Sequence, residues 1–335
     1  MTINDVAKAA GVSISSVSYA LSGKRTISAD TKRRIERAIR ELGYRPHAAA
    51  RMLAGAKTNI LALSAPLHDD GHLPTHMRFM SAVVQSAREY DYDVLLLATD
   101  DEVSGIQRVA TSSLVDGVVA MSVSDDDDRV GLVRDLGIPA SFIGVTAGAE
   151  GLACVDLDFV QTGSLVIDRL AEDGHRTIGI IGHPHSYVER KQGFMTRFEE
   201  GIAAATSARG VRVVREWADP GRGAGARAVD ALMDGPEKIS AIVFHSSEPV
   251  VEDALRRLAE RGIEVPRDMS LVAAAASYDP SGFDIPLSGV TLPIERVCRV
   301  AVESALAAHR GEGAEDPLLI DPTYVDRGST VNVSA

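Results

Sequence analysis

The sequence predicts an α/β protein in which a small three-helix head precedes two doubly wound parallel sheets. Three observations carry this. The first 45 residues hold three short amphipathic helical patterns with capping residues at their ends. From residue 59 onward, apolar strands alternate with amphipathic helices, the order that yields parallel sheets covered on both faces. Charge divides along the same line. The 335 residues carry a formal −12, yet residues 1–57 hold 11 Lys and Arg against 4 Asp and Glu, net +7. The remainder holds 24 against 43, net −19.

In the head, Thr2 can cap the first helix, with Asp5 as the acidic partner of a capping box. Val6 and Ala10 form its apolar stripe, and Gly11 is a natural left-handed terminator. Val12 plugs the turn. Ser13 then caps a second helix whose buried face is Val17 and Leu21. Its outward face carries Ile14, Ser15, Ser16, Ser18 and Tyr19, small or hydrogen-bonding groups that suit a DNA major groove. Lys24 and Arg25 sit in a loop that can reach phosphates. Ser28 caps a third helix with Ile35, Ala38, Ile39 and Leu42 on one side and Gly43 beyond its end. Lys32, Arg33, Arg34, Arg37 and Arg40 are expected on its polar side. A basic head on an acidic body is the asymmetry expected when one small domain meets phosphate.

After Tyr44-Arg45, Pro46 opens a short piece running through His47 to Gly55. It is too short to be a stable helix alone in water, and Met52 and Leu53 are adjacent and apolar. It therefore folds only when packed against something.

In the body, strands are expected at 60–64, 94–98, 118–123, 141–144, 178–182, 211–216, 241–244, 271–275 and 290–292, with a last one near Tyr324-Val325. Helices are expected at 77–90, 161–172, 189–205, 225–233, 250–261 and 294–308. This makes two halves, the second starting near Asp158, with a ligand cleft between them at the carboxyl ends of strands.

The two cysteines, Cys154 and Cys298, are far apart and lack metal-ligand spacing. They point to buried thiols in a reducing compartment. There is no signal-peptide apolar region and no run of transmembrane length, so a soluble cytoplasmic protein without membrane contact is expected. His68, His72 and His76 with Asp69 and Asp70 match no metal motif and read as a loop at the pocket mouth, so neither metal nor cofactor is expected. Asp125 to Asp128 follow a strand and suit the start of a helix. Gly221, Gly223 and Gly225 read as a flexible loop. No nucleophile-elbow pattern is present, and the protein is not expected to be an enzyme.

The residues resemble the lactose-repressor/galactose-repressor (LacI/GalR) family of bacterial transcription regulators. The matching stretches are Ile3-Asn4-Asp5-Val6-Ala7, Ala10-Gly11-Val12-Ser13, Val17-Ser18, Glu41-Leu42-Gly43-Tyr44-Arg45-Pro46 and Val115-Asp116-Gly117. Further on come Gly174-His175-Arg176, Gly193-Phe194 and the run from Arg261 to Asp268. The resemblance implies a helix-turn-helix head at 1–45, a hinge helix or linker at 46–58, and an effector-binding and dimerisation core of periplasmic-binding-protein type at 59–335. The core would divide into about 59–157 plus 288–320, and about 158–287 plus 321–335. It also implies a homodimer on a palindromic operator; no leucine heptad tail suggests a higher assembly.

By the same resemblance, base reading falls on Ile14, Ser15 and Tyr19, and phosphate or neighbouring contacts on Ser16 and Ser18. Thr2, Ser13, Lys24, Arg25, His47, Ala48 and Arg51 complete the expected DNA contacts. Leu53 takes the place of the family's minor-groove wedge, an apolar residue that unstacks and bends DNA. Ile14 and Ser15 cannot make the bidentate contacts of Arg or Gln, so readout leans on thymine methyl contacts. For the effector, Arg190 matches the family's ligand-gripping arginine and Trp217, the only tryptophan, its stacking ring. Pro74 with His72 lies in the loop lining the cleft, and Ser247-Glu248 stand where Asn-Asp is usual. Asp158 is kept, but Phe159 follows it in place of Asn. The run Ala273 to Ala276 replaces the family's glycine-aromatic-Asp-Asp, for which Tyr278 or Asp279 are the candidate substitutes.

The function implied is a ligand-responsive regulator, a repressor of carbohydrate-utilisation genes released from its operator by a sugar or sugar-derived inducer. Two alternatives stand beside it. One is a corepressor-type regulator whose ligand, such as a nucleobase, tightens operator binding; the other is a sugar-binding protein without a regulatory role.

Overall fold

The computed structural model describes residues 1–22, 27–44, 57–98, 102–219, 221–313 and 317–333. The head is built from α1 (Ile3–Ala10), α2 (Ile14–Ser22) and α3 (Ala29–Leu42). Val6, Ala7 and Ala10 close on Val17, Ile35 and Ala38, and Tyr44, within the bounds expected for the head, joins this core. Gly11 ends α1 at φ 60°, the left-handed conformation that a side chain would resist. Arg34 lies on the exposed polar side as expected and also reaches back to α1. Its guanidinium donates to the carbonyls of Ala10 at 2.6 Å and Gly11 at 3.0 Å, satisfying acceptors at the end of α1. Lys32, Arg33, Arg37 and Arg40 remain exposed.

The body contains β1 (Ile60–Ser64), α4 (Leu73–Arg88), β2 (Asp93–Leu97), α5 (Glu102–Thr111), β3 (Gly117–Ala120), α6 (Arg129–Leu136), β4 (Ala140–Ile143) and β5 (Ala153–Leu157). It continues through α7 (Phe159–Glu172), β6 (Thr177–Gly182), α8 (His185–Glu189), α9 (Gly193–Arg209), β7 (Arg212–Trp217), α10 (Ala224–Asp234), β8 (Ala241–His245) and α11 (Glu248–Glu260). It closes with β9 (Ser270–Ala276), β10 (Ser288–Thr291), α12 (Ile294–His309), β11 (Leu318–Ile320) and β12 (Tyr324–Val325).

These strands make two six-stranded sheets, ordered β11-β5-β4-β3-β1-β2 and β12-β10-β9-β8-β6-β7. The first is parallel throughout, and in the second only β12 runs antiparallel, against β10. The inner strands β1, β3, β6 and β8 of the two sheets are buried on both faces, which is why they read as near-continuous apolar runs rather than alternating. In the first, Val83 and Ala301 of α4 and α12 cover one face, while Ile106 and Val130 of α5 and α6 cover the other. In the second, α7 and α9 cover one face, and α10 and α11 the other. Helices α7 and α9 touch backbone to backbone: a Cβ on Gly201 would lie 2.0 Å from the Val160 carbonyl oxygen. That contact fixes two helices whose first turns line the cleft.

Four differences from the sequence reading matter. The expected strand at 290–292 is β10, whose Ser288 and Gly289 pair with Val272 and Ala273. The chain therefore leaves the second sheet after Thr291, not at 288. The expected helix at 189–205 is two helices broken around Lys191, which has φ 49°. Strands β5 and β11 and helix α5 lie outside the expected elements, whereas α6 starts directly after Asp128, where the acidic run suits a helix start.

Candidate functional site

Two surfaces are candidates, one on the head and one between the sheets. On the head, Ser13 Oγ accepts from the Ser16 backbone N–H at 3.1 Å and so caps α2. The same hydroxyl lies 2.9 Å from Ser15 Oγ and 2.8 Å from Ser16 Oγ. Ile14 is 51% exposed and Tyr19 36% exposed, and with Ser15 they form the outward face; Ser16 and Ser18 are half-buried. Thr2 donates from its backbone N–H and hydroxyl to Asp5 Oδ2, at 2.8 and 3.1 Å. Those hydrogen bonds hold the Asp5 carboxyl below its usual range. Lys24, Arg25, His47, Ala48, Arg51 and Leu53 lie outside the described residues.

The second surface is a cavity of about 130 Å³ at the carboxyl ends of both sheets. The first sheet presents Met121, Val123, Ile143 and Asp156, with His72, Thr75 and Phe79 from α4 and its approach. The second presents Phe159, His183, Tyr187, Phe194, Arg197 and His245, with Ala275 where the acidic segment was expected. The ring wall is continuous. His183 stacks on Tyr187 at 5.3 Å and meets His245 and Phe194 edge-on at 5.1 and 5.5 Å. Phe198 backs His245 at 3.9 Å.

Burial disfavours charge on these imidazoles. It takes His183 down to about 4, with His72 adding to the effect, and takes His245 well below its ordinary value. His72 and His76 are lowered for the same reason. All four rings are therefore neutral at pH 7, each with one donor and one acceptor nitrogen.

The walls are tied across the cleft. Deep in it, Arg197 of α9 donates from Nη2 to Asp156 of β5 at 3.0 Å and from Nη1 to the Val145 carbonyl at 2.8 Å. The two side chains are 15% and 9% exposed. Burial lifts the Asp156 carboxyl to about 6 against the pull of Arg197. At the mouth, both terminal nitrogens of Arg190 donate to Asp70, at 2.9 and 3.0 Å, and the Ser186 hydroxyl donates to the same carboxylate. Burial pushes Asp70 up, but those hydrogen bonds outweigh it and hold it below its usual range. Thr196 donates to Asp125 at 2.7 Å, and Thr75 and Ser277 share a hydrogen bond of 2.8 Å. A ligand touching both walls biases how these halves close.

Of the residues expected to hold an effector, His72 alone lines the cavity. Its Nδ1 pairs with Thr75 at 2.9 Å. Pro74 is spent in the first turn of α4. Asp158 caps α7, accepting from Gln161 N at 2.8 Å. Arg190 is held by Asp70 and lies over the Tyr187 ring at 5.1 Å. Trp217 ends the edge strand β7 and packs edge-on against His185 at 5.8 Å. Ser247 and Glu248 start α11. Tyr278 turns into the core against Phe283 at 5.6 Å, and Asp279 is occupied by Ser281. Sequence reasoning missed His183, His245, Asp156 and Arg197. Both histidines sit at the carboxyl end of an apolar strand, the one signal that could have found them. Among the described residues, no group of three or more His, Cys, Asp and Glu is placed to hold a metal, the His68–His76 loop included. No helix there is long and apolar enough to cross a membrane.

A three-helix head of helix-turn-helix order, carried on two parallel sheets that enclose a cleft, defines a ligand-responsive DNA-binding transcription regulator. Residues 2–47 match the family described as bacterial regulatory proteins, lacI family, and residues 167–330 match the periplasmic binding protein-like domain. The chain is 30% identical over 252 residues to the HTH-type transcriptional regulator RafR of Escherichia coli, covering 72% of each. It is 29% identical over 336 residues to the HTH-type transcriptional regulator CelR of Thermobifida fusca, covering 97% of this chain and 96% of that protein. It therefore belongs to the lacI family of bacterial regulatory proteins. In fold it matches the lac repressor dimer bound to operator and the anti-inducer ONPF, at TM-score 0.79 and 21% identity over 99% of both chains. It also matches the CelR–cellobiose complex, at TM-score 0.67 and 25% identity over 98% and 99%.

Proposed function

We propose that this regulator is a cytoplasmic repressor of carbohydrate-utilisation genes, released from a palindromic operator by a sugar bound in the cleft. Its role is regulatory and not catalytic. The observation that carries this reading is the cavity itself, bounded by both sheets and bridged by Arg197–Asp156 and Arg190–Asp70. Such bridges make closure sensitive to whatever occupies the space between. The relative solved with cellobiose supports a sugar as the class of effector.

The domains proposed are the head at 1–45, the hinge at 46–58 and the core at 59–335. Ile14, Ser15 and Tyr19 read bases, and Leu53 is the minor-groove wedge. Two copies assemble through the first sheet's edge, where Leu95 and Leu96 of β2 are 36% and 45% exposed beside Val84 of α4 at 40%. An open apolar strand edge of this kind is ordinarily covered.

The test is selection of genomic fragments by the full chain, followed by sugar challenge. A palindromic site that is lost with residues 1–57 and released by sugar is expected. A sugar that tightens operator binding makes the protein a corepressor-type regulator. Sugar binding with no operator at all overturns the regulatory reading.

A further inference from the structure

Strands β1 and β3 pair in parallel, so both start at one end of the first sheet and finish at the other. At the finishing end, the fully buried Arg129 donates from Nη1 to Ser64 Oγ and to the Met121 carbonyl, both at 3.1 Å, and Met121 lines the cavity. At the starting end, one residue before β3, stands Asp116, only 8% exposed. Between the two ends β1 is a close-packed rod five residues and about 17 Å long.

What Asp116 grips is the chain that leads back to the head. Its Oδ1 accepts from Thr58 N at 2.8 Å and from Thr58 Oγ1 at 2.9 Å, and its Oδ2 accepts from Asn59 N at 2.9 Å. Asn59 has φ 55°, so the chain turns sharply as it enters the sheet. Successive backbone N–H groups at such a turn make a concavity suited to an anion. A carboxylate that only capped strand ends would bond the amides of the strands themselves. These donors lie instead on the two residues before β1.

The grip is braced from behind. The Asp116 backbone N–H donates to the Ile60 carbonyl at 2.8 Å, and the Asp116 carbonyl accepts from His309 Nδ1 at 3.0 Å, at the end of α12. Asn59 Nδ2 donates to the Asp91 carbonyl at 3.3 Å. Tyr92 is buried here, and burial, with the charge of Asp116 next, pushes its hydroxyl up to about 12, so it stays neutral beside the carboxylate.

We infer that Asp116 is a positioning residue for operator binding: its carboxylate fixes the direction in which the chain toward the head leaves the core, at the far end of two strands that run to the cleft. This rests on the regulatory reading proposed above, and the experiment separates the two.

Full-length parent, Asp116→Asn, Thr58→Val and Thr58→Ser are compared by anisotropy on the selected palindromic operator and on a nonspecific duplex of equal length, and by hydrogen exchange. Asp116→Asn turns one acceptor oxygen into a donor facing an N–H. It should weaken operator binding at least tenfold and nonspecific binding less than twofold. Exchange of the Thr58 and Asn59 amides should rise at least tenfold, with Leu61 to Leu63 still protected. Thr58→Val, which spares Asp116 and both amides, should weaken operator binding severalfold; Thr58→Ser keeps the hydroxyl and should match the parent. Equal losses on both duplexes, or faster exchange throughout β1, make Asp116 a general stabiliser of the core and overturn the inference alone. Unchanged operator affinity in Asp116→Asn and Thr58→Val also overturns the inference alone. A parent that selects no palindromic operator overturns the regulatory reading, and the positioning role with it.

Discussion

Removing Arg197 from its buried pair should cost stability in a way that depends on pH. Asp156 has its pKa lifted from an ordinary 3.8 to about 6, chiefly by burial. A shift of that size means that ionised Asp156 opposes folding by about 3 kcal/mol at pH 7, with Arg197 still in place. The sign follows from the direction. The folded pKa is raised, so the cost is absent below about pH 4, grows as pH climbs through 6, and is complete above it. Arg197→Met strips away the remaining compensation and should destabilise by about 3–5 kcal/mol at pH 8. At pH 5 the loss should be smaller, because Asp156 takes up a proton. Adding Asp156→Asn replaces the pair with neutral groups of similar shape and should recover most of the loss, leaving the double variant within about 1 kcal/mol of the parent. Urea denaturation of the four proteins at both pH values completes the cycle. Additive single effects, or an Arg197→Met loss that is the same at pH 5 and pH 8, would refute the reasoning.

Asp70→Asn loosens the mouth, where Arg190 and Asp70 are 29% and 21% exposed. Stability should fall by less than about 1 kcal/mol, while stopped-flow sugar binding should speed up; an unchanged rate argues against a gate at the mouth. Arg34→Ala removes the donors at the end of α1 and should destabilise the head by about 1–2 kcal/mol, read from hydrogen exchange of residues 3–10. Leu53→Ala should weaken operator binding more than nonspecific DNA binding, and equal losses remove the wedge from the account. Operator affinity should also fall steeply with salt as basic side chains displace counterions; a flat titration contradicts phosphate-driven binding.

Much of the fold was legible because its signals are local. Thr2, Asp5, Gly11 and Ser13 specify two helices and a turn within 13 residues, and the structure uses each of them. Continuous apolar runs such as Ile178 to Ile181 mark buried parallel strands unmistakably. Strand β5 escaped because it contains Asp156, a charge that reads as surface until Arg197 is known to reach it from 41 residues away. Helix α5 is only 10 residues long, whereas the start of α6 was legible in the run Asp125 to Asp128, although not that Arg129 is fully buried against Asp127.

The cleft was harder for the same reason. Its ring wall joins Phe159, His183, Phe194 and His245, which no spacing relates, and Arg190 meets Asp70 across 120 positions. Resemblance located Arg190 but could not show that its nitrogens were already occupied. Asp158 and Tyr278 looked available in sequence because capping of α7 and burial against Phe283 are tertiary facts.

The central claim is that occupancy of the cleft is read out at the head. The most direct measurement is fluorescence anisotropy of operator DNA with the full chain, with and without the sugar that binds best. Operator affinity should fall at least tenfold when that sugar saturates. Operator affinity that stays the same at saturating sugar would contradict the account.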